Sequence, residues 1–217
     1  MCDSSSLISL SETCNLGVLR FLKQNFDADF VIPQAVEREI IERPSKVGKF
    51  SYSAARIKHL ISENTLRVAW TKSLSSEAQK ILSQANNLFF EKKPLTIVQE
   101  GEAECLALMK PLRAQALLID EKTTRLLLED PEKLFTLMRG EQAQVKADEK
   151  ALSAFQKTYS CAMLRSTELL AFGAQNGFFN DYAPDENEVF HSSIYALRYA
   201  GCSISQKEID DYQKIKI

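Results

Sequence analysis

Four acidic positions, far apart in the chain, each fall where a strand should end or a helix should begin: Asp3, Glu37 or Glu39, Glu102 or Glu104, and Asp120. Carboxylates brought within a few ångströms of one another repel, and each raises its neighbour's pKa unless a cation takes the centre. A donor set made only of oxygens selects magnesium or manganese over zinc. Such ions orient a phosphodiester, lower the pKa of a water and stabilise the leaving oxygen. The chain has 29 acidic side chains, most of which must solvate the surface. The elements beneath these four therefore decide whether they meet.

The best-defined elements lie between Gln99 and Arg125. Ala103, Leu106, Ala107 and Met109 recur at helical spacing until Pro111, and Gly101 is expected to permit a sharp entry. Ala116-Leu-Leu-Ile is short, continuous and apolar, as in a strand buried on both faces of a parallel sheet, and it stops at Asp120-Glu121. Open α/β sheets bind their ligands at such carboxyl ends. Upstream, Asp3 precedes three serines and Leu-Ile, either a strand-end acid entering a helix or an N-cap at a frayed terminus. Phe30-Val-Ile reads as a second strand, and Pro33 opens a helix that runs toward Pro44. Val36 and Ile40 share its inward stripe with Glu37 and Glu39 on either side, so periodicity does not choose between the two acids.

Further strands are expected at Leu66 to Trp70, on an edge, and at Cys161 to Leu164, as one more buried strand. A capping box of Ser76 and Gln79 should start a helix running toward Phe90. Asp130-Pro131 should start another that Gly140 ends, and the polar run 141–157 is helix-prone and exposed or inserted. Glu168 to Gln175 reads as a helix closed by Asn176-Gly177. After a polar turn around Pro184, two helical patterns joined through Gly201 form a tail, the second with a Ser205–Glu208 capping box. The resulting outline is an α/β domain over 1–182, with insertions near 45–60 and 130–160, followed by a helical extension over 183–217.

At 217 residues, 45% hydrophobic and 26% charged, the chain is long enough to bury a core. No apolar run approaches a membrane span and no basic-then-apolar leader opens the sequence, so a cytoplasmic location is expected. The five cysteines are scattered without a C-x-x-C pair, which argues against a zinc site or a disulfide framework. A net charge of -2 does not mark a nucleic-acid binder in bulk, so any such binding must be local. The local patch on offer runs from Arg43 to His59, where Lys46, Lys49, Arg56 and Lys58 interleave with Phe50 and Tyr52. Cations and aromatics in this mixture suit single-stranded nucleic acid, although a solvated helix face is the commoner explanation of such a run. Two isolated histidines, no G-x-S-x-G and no P-loop leave a serine triad or a nucleotide cradle unsupported. Asp3 has no D-x-D partner for a haloacid-dehalogenase-type phosphatase, and Cys105 reads as core.

These stretches together resemble the PIN-domain family, which includes VapC-type toxins. Asp3-Ser-Ser-Ser-Leu-Ile resembles the family's opening, and Pro33-Gln-Ala-Val-Glu-Arg-Glu-Ile its second acidic motif, which places that acid at Glu39. Gly101-Glu-Ala-Glu-Cys-Leu-Ala-Leu is similar to the third motif of one branch, with Glu102 the better match and Glu104 beside it. Leu118-Ile-Asp-Glu-Lys-Thr-Thr-Arg is similar to the fourth, giving Asp120, with Glu121 adjacent and Arg125 at the familiar offset. Ser166-Thr-Glu-Leu-Leu-Ala-Phe and Arg198-Tyr-Ala-Gly-Cys-Ser-Ile-Ser resemble the closing strand–helix and the helical tail of that branch. Three departures stand out. Thr124 occupies a position usually held by a small residue, and Ser166 one usually held by glycine. Only Met1 and Cys2 precede Asp3, so either the first strand is very short or the chain starts further upstream.

The resemblance implies a three-layer α/β/α fold around a central parallel sheet. It also implies a metal-dependent endoribonuclease, toxin-like or RNA-processing, that cleaves phosphodiesters with a metal-activated water. Asp3, Glu39, Glu102 and Asp120 would hold Mg²⁺ or Mn²⁺, supported by Ser5, Glu104, Glu121 and Arg125. Lys122 and the basic stretch would contact RNA, and an antitoxin or other protein partner, or a homodimer, is implied in the same way. The alternative is a PIN-like scaffold that binds RNA or protein without cutting.

Overall fold

The computed structural model describes residues 1–141 and 143–217. The chain opens with α1 (Ser4–Glu12) and α2 (Gly17–Phe26), then β1 (Phe30–Pro33) and α3 (Gln34–Glu37). A π-helical turn, Arg38–Glu42, continues α3 and leads through a 3-10 turn at Pro44–Lys46 into α4 (Gly48–Ser62). Next come β2 (Leu66–Ala69), α5 (Leu74–Ala85), β3 (Phe89–Phe90), α6 (Glu100–Met109) and β4 (Ala116–Leu118). They are followed by α7 (Lys122–Glu129), α8 (Pro131–Glu141), β5 (Lys146–Ala147), α9 (Glu149–Tyr159) and β6 (Ala162–Leu164). Finally α10 (Ser166–Gln175) leads to the tail, α11 (Glu186–Tyr199) and α12 (Gln206–Tyr212).

The central sheet is parallel, with residues 1–3 at its middle. β1 pairs with β2, Phe30 opposite Leu66, and β4 pairs with β6, Ala116 opposite Ala162. Residues 1–3 lie between the two pairs and bond to both. The Cys2 amide donates to the Val31 carbonyl at 2.8 Å, the Asp3 amide to Leu118 at 2.9 Å, and the Leu118 amide to Met1 at 2.8 Å. The spatial order is thus β2, β1, residues 1–3, β4, β6. Backbone hydrogen bonds from both neighbours hold residues 1–3 in place, as a buried backbone requires.

Helices flank this sheet: α6 packs on β1, β4 and α5, α4 on β2, and α10 on β6 and α1. Leu7, Leu10, Leu19, Ile32, Ile57, Leu66 and Ile81 are buried in the core between them. The tail joins the same core through Phe190, Ile194, Leu197 and Ile209. This is the α/β arrangement with a helical tail that the sequence suggested.

Several local expectations are corrected. The helix expected from Ser76 begins at Leu74 and ends at Ala85, and the Ser76 hydroxyl donates back to the Ser73 carbonyl rather than capping. Gly140 lies inside α8, not at its end. Apolar composition predicts a buried strand at Cys161 to Leu164, but among the described residues β6 pairs with β4 alone, and Ala162 and Leu164 are exposed. Gly101 is no entry turn, because Gln99 caps α6 and shares a capping box with Glu102. A two-stranded antiparallel pairing, Phe89 opposite Ala147, also forms in the insertion that was expected to be helix-prone.

The tail is latched by Arg165. Its guanidinium binds Glu168, reaches Glu208 at 2.8 Å and donates to the Ser203 carbonyl at 3.0 Å. Partial burial pushes the Glu208 carboxyl up, but hydrogen bonds from Ser205 and Arg165 outweigh it and hold the pKa at about 2. A lowered folded-state pKa stabilises above the ordinary value of 4.5, and that stabilisation is lost as pH falls toward 2. Glu208 is substantially solvent-exposed, so Glu208→Gln is expected to cost about 1 kcal/mol or less at pH 7. Paired urea titrations of both chains should show the difference shrinking as the pH is lowered.

Candidate active site

Asp3 ends the short central strand and caps α1. Its Oδ2 accepts from the Ser5 amide at 3.0 Å and the Ser5 hydroxyl at 2.6 Å, while Oδ1 is buried with no hydrogen-bond partner among the described residues. Burial raises the Asp3 pKa, the Ser5 hydrogen bonds oppose the rise, and the Glu121 charge adds to it. Ser5 is a junction as well as an N-terminal helix residue. Its oxygen accepts from the amides of Asp120 at 3.0 Å and Glu121 at 3.2 Å, joining the ends of the central strand and β4.

Glu102 reaches this point from the first turn of α6. Its Oε2 accepts from the Gln99 amide at 2.7 Å. Burial first, then the Asp3 charge and more weakly that of Glu121, push its pKa to about 8 against hydrogen bonds from Gln99 and Thr124. Glu39 arrives on the π-helical turn, half-buried. Its pKa is raised by burial and by Asp3, and lowered by the Ser4 hydroxyl and the Arg43 charge. Gly101 makes room for it. A Cβ there would stand 3.1 Å from Glu39 Oε2 and 3.2 Å from Val36 Cγ2. The glycine of the GEAE run is therefore a clearance for a carboxylate, not a turn. Glu121 caps α7, accepting from the Thr124 amide at 2.7 Å, and its charge bears on both Asp3 and Glu102.

The structure thus couples Asp3, Glu39, Glu102 and Glu121. It sets Glu104 and Asp120 to other work. Glu104 Oε2 accepts from the Ala35 amide at 2.8 Å, capping α3 from α6. Asp120 is fully buried, with Oδ1 accepting from the Ser166 amide and Oδ2 from the Ser166 hydroxyl, both at 2.7 Å. It pins the start of α10 to the end of β4. Of the two strand-end acids it is the adjacent Glu121, placed in support by the sequence reading, whose charge reaches the cluster. Of the two side-chain departures from the family pattern, the Ser166 hydroxyl completes the Asp120 clamp, and the Thr124 hydroxyl donates to the Ile97 carbonyl at 3.5 Å.

The cations divide in the same way. Arg125, expected in support of the acids, pairs through Nη1 with Glu129 at 3.0 Å on its own helix. Arg56 donates to the Ser11 carbonyl at 2.8 Å. Lys46, Lys49, Lys58 and Lys122 are exposed. Cys105 is fully buried and its thiol donates to the Cys2 carbonyl, with burial raising its pKa well above the usual value.

Among the described residues no three His, Cys, Asp or Glu side chains stand together as a group that could hold a metal ion. The acids are coupled through space without forming a closed ligand shell. Their chemistry fits a hard divalent cation: every donor is oxygen, Asp3 Oδ1 is buried and unpartnered, and Asp3 raises the pKa of both Glu39 and Glu102.

Gly101→Ala sets about 1 kcal/mol of helix propensity against displacement of Glu39 and Val36, so its net cost is expected to be about 1 kcal/mol or less. Chemical unfolding should show part of that cost recovered in the Gly101→Ala/Glu39→Ala double variant, because one of the two crowded neighbours is then gone.

A family model described as a PIN domain matches residues 1–131. That span holds all the coupled acids and ends at the first residue of α8. No curated protein and no solved structure matches the chain.

Proposed function

The chain belongs to the PIN-domain family, and on that footing we propose that it is a divalent-metal-dependent endoribonuclease. The family is nuclease-like in general and generally uses divalent metals. The observation that carries the finer reading is the buried, unpartnered Oδ1 of Asp3, beside a Glu102 whose pKa stands near 8. A buried acceptor with no donor is costly, and a second acid beside it adds repulsion. Positive charge brought from outside relieves both.

In this reading Asp3, Glu39, Glu102 and Glu121 would hold Mg²⁺ or Mn²⁺. The ion, when bound, supplies Lewis-acid stabilisation of a phosphodiester and a lowered pKa for an attacking water. The protein's own groups do the rest. Ser5 fixes the Asp3 carboxylate through Oδ2 and leaves Oδ1 for the ligand. The Gln99 amide orients Glu102. Asp120 acts as a positioning residue, holding β4 to α10 so that Glu121 keeps its place. Lys122, exposed at the first residue of α7, is the nearest basic side chain in sequence to Glu121 and is assigned to substrate phosphate.

The second reading, a scaffold that binds without cutting, draws on the absence of a closed ligand group among the described residues. A thermal unfolding series separates the two. Mn²⁺ is expected to raise the midpoint of the native chain. Asp3→Asn should abolish the rise, whereas Asp120→Asn should lower the metal-free midpoint and leave the rise in place. No shift in the native chain, together with intact RNA after incubation with Mn²⁺, would sink the nuclease reading.

The raised Glu102 pKa carries its own prediction. An unfolded glutamate ionises near 4.5 whereas the folded one holds its proton to about 8, so stability falls as pH rises through that window. Without metal, Glu102→Gln is expected to be more stable than the native chain at pH 8 by about 4 kcal/mol. Denaturant titrations should find that gain gone below pH 4.5, where both forms are uncharged.

A further inference from the structure

The basic stretch expected to meet RNA forms α4 and its lead-in. Its buried face is Ala54, Ile57 and Leu60. Away from that face Lys49, Tyr52, Arg56 and His59 follow one another at steps of three, four and three, which is a single helical stripe. Tyr52 is 73% exposed and Phe50 42%. The Arg56 guanidinium lies 5.5 Å from the centre of the Tyr52 ring, and the Lys49 ammonium 5.2 Å from that of Phe50. Arg56 is held by its bond to the Ser11 carbonyl, so the Tyr52–Arg56 pair is built in rather than loose.

Where this stripe ends, a cavity of about 330 Å³ opens between α2 and α4, with Gly17, Arg20, Ala55, Arg56 and His59 in its wall. Glu63 is not part of that wall but aims two of its side chains. It takes the Arg20 Nε at 2.8 Å and Nη2 at 3.0 Å, and lies 3.4 Å from His59 Nε2. Arg20 and His59 are thus fixed by one carboxylate beside a pocket that also receives Arg56. α1 joins this place to the acids. Asp3 caps its first turn and the Ser11 carbonyl that binds Arg56 lies near its end, eight residues on and about 12 Å away at the helical rise.

We propose that this face is the track on which single-stranded RNA is held for the acids: a base stacks on Tyr52, and a neighbouring phosphate enters the pocket of Arg20, Arg56 and His59. The assignment rests on the ribonuclease reading and deepens it by naming the substrate's form and seat. Exposed rings alternating with cations suit unstacked bases on a flexible backbone. A double helix keeps its bases stacked and offers a side-chain ring no face to stack on. An acidic peptide would satisfy the cations but give the two rings no planar partner.

The test is fluorescence anisotropy with the full chain in EDTA, using a short labelled single-stranded RNA of mixed sequence and the duplex formed with its complement. Cleavage of the same strand with Mn²⁺ is followed in parallel. Tyr52→Ala is expected to weaken single-strand binding about tenfold, Tyr52→Phe to restore it, and neither to move the melting midpoint. Lys49→Ala should flatten the dependence of binding on salt. Unchanged binding by Tyr52→Ala with cleavage intact overturns the track and leaves the nuclease reading standing. Equal affinity for the duplex likewise overturns it. A native chain that neither binds nor cuts the strand removes both.

Discussion

The site depends on how three residues are held at the centre of a sheet. Met1, Cys2 and Asp3 keep their place because β1 and β4 hydrogen-bond to them from both sides. Ser5 then extends the same connection beyond the strands. Its hydroxyl donates to Asp3 and accepts the amides of Asp120 and Glu121, so one oxygen sets the spacing between two strand ends and the acids they carry. Loosening it would free the Asp3 carboxylate and the turn that presents Glu121 together.

Around that junction the acids divide by what their oxygens meet. Asp120 and Glu104 are as buried as Asp3 and Glu102, yet their carboxylates are spent on backbone amides and, for Asp120, a hydroxyl: they fasten α10 and the start of α3. Asp3 keeps one oxygen without a partner and Glu102 is forced toward its protonated form. Buried acids that are fully hydrogen-bonded hold a fold together. Buried acids that are not are a site waiting for charge, and perturbed titration in a cluster is the usual mark of one.

Most of the frame was legible in the residues. Continuous apolar runs placed β1 and β4, helical spacing placed α6, and the capping box at Ser205 and Glu208 placed α12. Ser76 with Gln79 has the same spacing as a capping box but sits inside a helix, because the apolar Leu74 buries itself one step earlier and carries the helix start with it. β6 looked buried because composition reports hydrophobicity and not the number of neighbouring strands. The Glu37–Glu39 choice was closed to periodicity for a geometric reason: the turn Arg38–Glu42 is π-helical, and a wider turn changes which residues share a face.

By itself the sequence determined the order of elements, the α/β class and the fact that acids stand at strand ends and helix starts, because these follow from local spacing and from where apolar runs stop. Only the tertiary structure decided which acids meet. Whether Asp120 or Glu121 bears on Asp3, and whether Glu102 or Glu104 does, turns on partners more than thirty residues away: Ser166 for one, Ala35 for another. Adjacent carboxylates have the same chemistry on paper. What distinguishes them is the donor each encounters once the chain has folded, and that donor comes from another part of the sequence.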